Sequence, residues 1–172
     1  MLHLITGGAR SGKSSYAQEL ALSMSAHPVY VATAKIWDDE FAERIQRHQK
    51  ERGPAWVTYE EELYISKLPL GEQVVVIDCV TLWLTNFFEQ YAYDGDNTLQ
   101  AMLAEITTLE KYAGLHLSNF IVVTNEIGMG IHADTRAGRK FTDLQGWVNQ
   151  HLARIANTVT LMVSGIPVVI KQ

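Results

Sequence analysis

Eight residues near the start of the chain, Gly7-Gly8-Ala9-Arg10-Ser11-Gly12-Lys13-Ser14, have the types and spacing of a phosphate-binding loop, G-x-x-x-x-G-K-[ST]. In such a loop the glycines let backbone N–H groups turn inward around phosphate oxygens. Lys13 then supplies positive charge and Ser14 a hydroxyl for Mg²⁺. The same pattern also arises as a tight strand-to-helix turn without a ligand, so its setting decides. Here the apolar run Leu2-His3-Leu4-Ile5-Thr6 precedes it, and Tyr16, Ala17, Leu20, Ala21 and Met24 follow at helical spacing. A helix starting near Lys13 adds its N-terminal partial charge to the anion site. Nucleotide binding is the expectation.

Two further constellations could carry chemistry. Val74-Val75-Val76-Ile77 ends in Asp78, like the second motif of phosphate-loop enzymes, whose acid holds Mg²⁺ directly or through water. The alternative is an acid that caps the following turn. Cys79 beside it reads as a packing residue. Further upstream, Glu40, Arg44, His48 and Arg52 recur at i, i+4 spacing, with Phe41 and Ile45 forming a neighbouring apolar row. Spacing alone favours a solvated charged face, each pair of which contributes about 0.2–0.5 kcal/mol. The chemical reading of the same stripe is different. Two arginines disfavour protonation of His48, leaving a neutral imidazole able to attack phosphorus while the arginines neutralise a triphosphate. A nucleophile of this kind splits one nucleotidyl transfer into two displacements.

Stepwise alternation of strands and helices must position these groups. Strands are expected over 2–6, 28–33, 56–59, 74–77, 120–124, 159–163 and 168–170. Helices are expected over 13–24, 38–52, 81–91, 98–116 and 139–156. Gly53-Pro54 stops the second helix, Asp94-Gly95-Asp96-Asn97 reads as a polar turn, and Ser164-Gly165-Ile166-Pro167 as the last turn. The pattern predicts an α/β fold, a mainly parallel sheet with helices on both faces, in a single domain over residues 1–172.

Composition fits one ordinary globular domain with a small-molecule partner. The 172 residues are 47% hydrophobic and 19% charged, enough to bury a sizeable core. A net charge of −5 argues against a protein that works by neutralising nucleic-acid phosphates. The lone Cys79 permits no internal disulfide, which suits a reducing cytosol. Neither a leader peptide nor an apolar run long enough to span a membrane is expected. His3, His27, His116, His132 and His151 show no metal-ligand spacing and read as structural or exposed. Trp37, Trp56, Trp83 and Trp147 suit interface, substrate or core positions alike.

Taken together, several motifs resemble one family. The phosphate loop, Tyr30-Val31-Ala32-Thr33-Ala34, Arg44-Ile45-x-x-His48 with Arg52, Trp56-x-Thr58-x-Glu60, Asp78-Cys79-x-Thr81-Leu82-Trp83-Leu84-Thr85-Asn86, Thr124-Asn125-Glu126-x-Gly128-Met129-Gly130 and Gly146-x-x-Asn149-Gln150 are similar to those of the bifunctional adenosylcobinamide kinase and adenosylcobinamide-phosphate guanylyltransferase of cobalamin biosynthesis. The resemblance runs over nearly the whole chain. It implies a P-loop NTPase (RecA-like) fold and a cytoplasmic homotrimer. The implied activity is phosphoryl transfer from ATP or GTP to the aminopropanol hydroxyl of adenosylcobinamide, followed by GMP transfer from GTP to that phosphate through a guanylylated histidine, with Mg²⁺ as cofactor.

Carried over by position, the resemblance makes His48 the guanylylated histidine. Gly7, Gly8, Ala9, Arg10, Ser11, Gly12, Lys13 and Ser14 become the phosphate loop, Ser14 and Asp78 the metal contacts, and Ala32, Thr33, Ala34, Gln49, Lys50, Glu51, Arg52, Glu60 and Asp78 the other nucleotide contacts. Glu60 also reads as one of the solvated acids Glu60-Glu61-Glu62, although a carboxylate suits the N1–H and 2-amino donors of guanine. The chain departs from the family pattern after Ile131, where His132-Ala133-Asp134-Thr135 stands in place of a proline and a further acid. Two other readings compete. One is a P-loop kinase of a different small hydroxylated metabolite, and the other a nucleotide-switched binding module.

Overall fold

The apolar runs pair into one seven-stranded sheet in a computed structural model that describes residues 1–35, 53–71 and 73–172. The helix expected over 38–52 lies outside these residues, and with it Trp37, Glu40, Arg44, His48, Gln49, Lys50, Glu51 and Arg52. In chain order the elements are β1 (Leu2–Gly7), α1 (Lys13–Met24), β2 (Val29–Ala32), β3 (Val57–Glu60), β4 (Val74–Asp78), α2 (Val80–Gln90), α3 (Gly95–His116), β5 (Asn119–Val123), α4 (Arg136–Ile155), β6 (Thr158–Val163) and β7 (Ile166–Lys171). Short 3₁₀ turns occupy Ile65–Lys67 and Ile127–Met129. The strand order is β3-β2-β4-β5-β1-β6-β7, parallel except for the final β6/β7 hairpin.

Continuous apolar strands are what a sheet covered on both faces requires. Along β4, Val75 and Ile77 pack with Leu4, Val31, Phe120 and Val122 under α2, α3 and α4. Val74 and Val76 turn the other way, packing with Ile5, Ile121 and Val123 under α1. Ala17 and Ala21 are the fully buried contacts of α1, and their small size brings that helix close to the sheet. On α2 the buried Val80, Trp83, Leu84 and Phe87 follow i, i+3, i+4, i+7 spacing. Trp83 satisfies its ring N–H by donating to the Leu63 carbonyl at 2.8 Å, so this tryptophan belongs to the core. Trp147 is half-exposed on α4.

Two helices begin earlier than their spacing suggests, because a side chain caps them. Asp94 accepts a hydrogen bond from the Asn97 amide at 3.1 Å, so the expected turn 94–97 is the capped first turn of α3. Thr135 accepts from the Gly138 amide at 3.0 Å and starts α4 at Arg136. The last turn is also tighter than expected. Ser164 (φ 52°) and Gly165 (φ 83°) alone connect β6 to β7, as a two-residue hairpin with both φ positive demands. Ile166 and Pro167 thus belong to β7, an edge strand, where proline is tolerated. Among the described residues no helix is long and apolar enough to cross a membrane.

Candidate active site

Strand register brings the sequence candidates to one edge of the sheet. Glu60, Ala32, Asp78 and Val123 are successive partners across β3, β2, β4 and β5, all at the carboxyl ends of parallel strands. Ligands bind there in open α/β sheets. On the far side of β5, β1 ends in Gly7 and delivers the phosphate loop to the same edge.

Glycine is required at two loop positions. Gly7 has φ 148°, and a Cβ there would stand 2.6 Å from the Met162 carbonyl oxygen. Gly12 has φ 93° at the N-cap of α1, and its Cβ would press on the Gly165 Cα at 3.3 Å. The hairpin turn holds the loop from behind, since the Gly165 amide donates to the Ser11 carbonyl at 3.0 Å. Gly7→Ala is expected to cost about 1–3 kcal/mol through backbone strain alone. It should lower the urea midpoint and weaken nucleotide binding together, measurable by chemical unfolding and by titration with a fluorescent GTP analogue.

Lys13 opens α1 with its side chain buried against this loop. Its ammonium donates to the Gly8 carbonyl at 2.5 Å and reaches Ser11 Oγ at 3.5 Å. Burial pulls the Lys13 pKa below the ordinary lysine value, and the negative charge of Asp78 works in the opposite direction. Gly8, Ala9 and Arg10 are exposed, whereas Ser11, Gly12 and Ser14 are half-buried. The loop thus offers an open rim of backbone over a buried cation.

Asp78 Oδ2 accepts the Tyr30 hydroxyl at 2.7 Å, and its other oxygen accepts no hydrogen bond from the described residues. Among these residues no group of three or more His, Cys, Asp or Glu side chains could hold a metal alone. Mg²⁺ asks for less, because it keeps several waters and takes one or two protein oxygens plus substrate phosphates. The half-free Asp78 carboxylate and the Ser14 hydroxyl are hard oxygen donors of that kind.

The neighbouring Cys79 is buried, and desolvation first, then the Asp78 charge, pushes its thiol up to about 11. It is a protonated packing residue, as its strand-end position suggests. Thr33 is equally committed to structure. Its hydroxyl accepts from the Cys79 amide and donates to the Cys79 carbonyl, both at 2.8 Å. Its carbonyl receives the Asn86 amide at 2.8 Å. Any contact of Thr33 with nucleotide therefore comes from outside its hydroxyl. Ala32 is buried and Ala34 half-buried beside it, while Glu60 is exposed at the end of β3. Beyond these strand ends Lys35, Glu62, Leu63, Asn86, Glu89 and Gln90 line a cleft of about 240 Å³.

The sequence motif Thr124-Asn125-Glu126 carried no assigned role, yet it forms the most connected polar cluster at the site. Thr6 Oγ1 donates to Glu126 Oε1 at 2.9 Å, and Asn149 Nδ2 donates to the same oxygen at 3.2 Å. Asn149 Oδ1 accepts from Thr124 at 2.6 Å and from Gln145 at 2.9 Å. Asn125 reaches across to Thr81 Oγ1 at 2.9 Å. These partners come from β1, the residues just after β5, α2 and α4, so only the folded chain assembles them. The sequence signals were polar residues directly after a buried strand and the place of 124–130 and 146–150 among the motifs that carry the family resemblance.

Residues 3–170 match the family described as cobinamide kinase / cobinamide phosphate guanyltransferase, CobU. The chain is 41% identical over 182 residues to the bifunctional adenosylcobalamin biosynthesis protein CobU of Escherichia coli (strain K12), covering 99% of this chain and all of that protein. It is 38% identical over 184 residues to the protein of the same name from Salmonella typhimurium, with the same coverage. In structure it is similar to the flagellar accessory protein FlaH from Methanocaldococcus jannaschii, with a TM-score of 0.51, 15% identity and coverage of 99% of this chain and 77% of that one. The last likeness concerns the fold alone, a mainly parallel sheet with helices on both faces.

Proposed function

The chain belongs to the cobinamide kinase / cobinamide phosphate guanyltransferase family, and from that premise we propose that it is a bifunctional enzyme that phosphorylates adenosylcobinamide with ATP or GTP and then joins GMP from GTP to the product. The observation that carries the reading is the buried Lys13 inside a backbone-lined phosphate loop, on the same sheet edge as Asp78. Residues 1–172 act as one catalytic domain.

In the first reaction, loop amides from Gly8 to Ser14 hold the β- and γ-phosphates and Lys13 faces the charge that accumulates between them. Catalysis here is chiefly positioning and electrostatic stabilisation. Mg²⁺ held by Ser14 and Asp78 would supply charge neutralisation across the phosphates. In the second reaction a ring nitrogen of His48 attacks the α-phosphorus of GTP and pyrophosphate leaves. The phosphate of adenosylcobinamide phosphate then displaces the histidine from GMP, giving adenosylcobinamide-GDP. Arg44 and Arg52 neutralise phosphate charge, and Gln49, Lys50, Glu51 and Arg52 with Ala32, Thr33 and Ala34 contact the nucleotide. Glu60, at the open end of β3, takes the guanine donors.

The same reading makes the protein a cytoplasmic homotrimer. The exposed apolar side chains Ile166, Val168, Val169 and Ile170 on edge strand β7 support self-association, which light scattering on the purified chain would measure. Incubation with adenosylcobinamide, GTP and Mg²⁺, followed by mass analysis of corrinoid and protein, tests the activity. A GDP-linked corrinoid and a GMP-modified protein are expected. A corrinoid phosphate alone would mean a plain kinase, and nucleotide binding without turnover a binding module.

A further inference from the structure

Glu126 is a half-buried carboxylate with one oxygen fixed by partners from two other elements and the other without a protein donor among the described residues. A buried structural carboxylate in this protein is Glu105. Its Oε1 accepts from the Ser66 amide at 2.8 Å and its Oε2 from the Ser66 hydroxyl at 2.9 Å, so both oxygens are occupied. Glu126 has two donors, Thr6 and Asn149, on Oε1 alone. Its Oε2 accepts no hydrogen bond from the described residues, and the residue is half-buried. One oxygen is an anchor and the other is available.

The anchor is rigid. Asn149 is itself fixed, with Oδ1 taken by Thr124 and Gln145 and Nδ2 also bound to the Asn125 carbonyl at 3.0 Å. The Glu126 backbone is tied to the phosphate loop, its amide donating to the Gly7 carbonyl at 3.2 Å. By strand order Glu126 follows β5, which lies between β4 with Asp78 and β1 with the loop. That places Glu126 at the sheet edge shared by Asp78 and the phosphate loop. An acceptor hydroxyl attacking a γ-phosphate has to lose its proton in that place.

We propose that Glu126 is the proton acceptor of the phosphorylation step, a role that rests on the kinase reading above. Its Oε2 takes the proton of the substrate hydroxyl as that oxygen forms its bond to the γ-phosphorus. The bond from the γ-phosphorus to the bridging oxygen breaks, and the nucleoside diphosphate leaves with the electron pair, in line with and opposite the attacking hydroxyl. The proton then passes from Glu126 to water. Thr6 and Asn149 are positioning residues that aim the carboxylate.

Glu126→Gln preserves an oxygen for Thr6 and Asn149 and removes the basic site. With adenosylcobinamide and GTP, its phosphorylation kcat should fall about 10²–10⁴-fold, while affinity for a non-hydrolysable GTP analogue and protein labelling from α-labelled GTP persist. In Glu126→Ala, added formate should restore phosphorylation in a concentration-dependent way. Phosphorylation by Glu126→Gln at the parent rate would overturn the assignment. Loss of nucleotide binding together with turnover, without formate rescue, would make Glu126 a structural keystone and overturn it too. Rescue by raised Mg²⁺ in place of formate would make it a metal ligand and again overturn it. A parent protein that cannot phosphorylate adenosylcobinamide sinks the functional reading and the assignment with it; an active parent with an equally active variant sinks the assignment alone.

Discussion

His48→Ala is expected to abolish protein-bound label from α-labelled GTP and to lower formation of adenosylcobinamide-GDP by on the order of 10⁴-fold or more, the scale on which losing a covalent nucleophile is felt. Phosphorylation of adenosylcobinamide should continue. The separation follows from the chemistry, because the kinase step needs a phosphate cradle, a metal and a proton acceptor, and the imidazole serves none of them. The label in the parent should be acid-labile, as a phosphorus–nitrogen bond is. An unchanged label in the variant would move the nucleophile to another residue, and loss of both activities would make His48 a part of the shared nucleotide site.

Lys13→Met should do the opposite and strike both reactions. In the proposed mechanism each handles a triphosphate in the loop that Lys13 fills, so the variant should lose charge stabilisation in two transition states. A fall in kcat of about 10²–10³-fold is expected for phosphorylation, with a parallel drop in the rate of protein labelling. Methionine has a comparable length and suits a buried position, but it leaves the Gly8 carbonyl without its ammonium donor. Gly8 is exposed, so water replaces the lost donor, and removal of a desolvated cation offsets the change; the urea midpoint should move little. Normal labelling in Lys13→Met would show that the guanylyl step holds its triphosphate elsewhere. The pair of variants thus divides the two reactions: one side chain is needed once, the other twice.

Much of this arrangement was legible in the sequence because its signals are local. Glycines at 7 and 12 announce the loop through backbone freedom, and the apolar run ending in Asp78 announces a buried strand with an acid at its tip. The ends of helices were less legible. Asp94 and Thr135 cap from positions that read as turn residues, and capping depends on which nearby amide the side chain meets. Thr33 and Glu126 were least legible for a different reason. Thr33 stands among the expected nucleotide contacts, but what its hydroxyl does is set by Cys79, 46 positions away. Glu126 looks like one more polar residue until Thr6, 120 positions earlier, is found holding it. Their roles are set by long-range partners, which no window of sequence contains.

The bond from the Gly165 amide to the Ser11 carbonyl has a meaning for how the protein comes into being. β1 is flanked by β5 and β6, so the nascent chain carries its phosphate loop unlatched until the ribosome has delivered residue 165. A stalled or clipped product that ends before the hairpin keeps its loop without this latch, so the last residues made complete the first motif read.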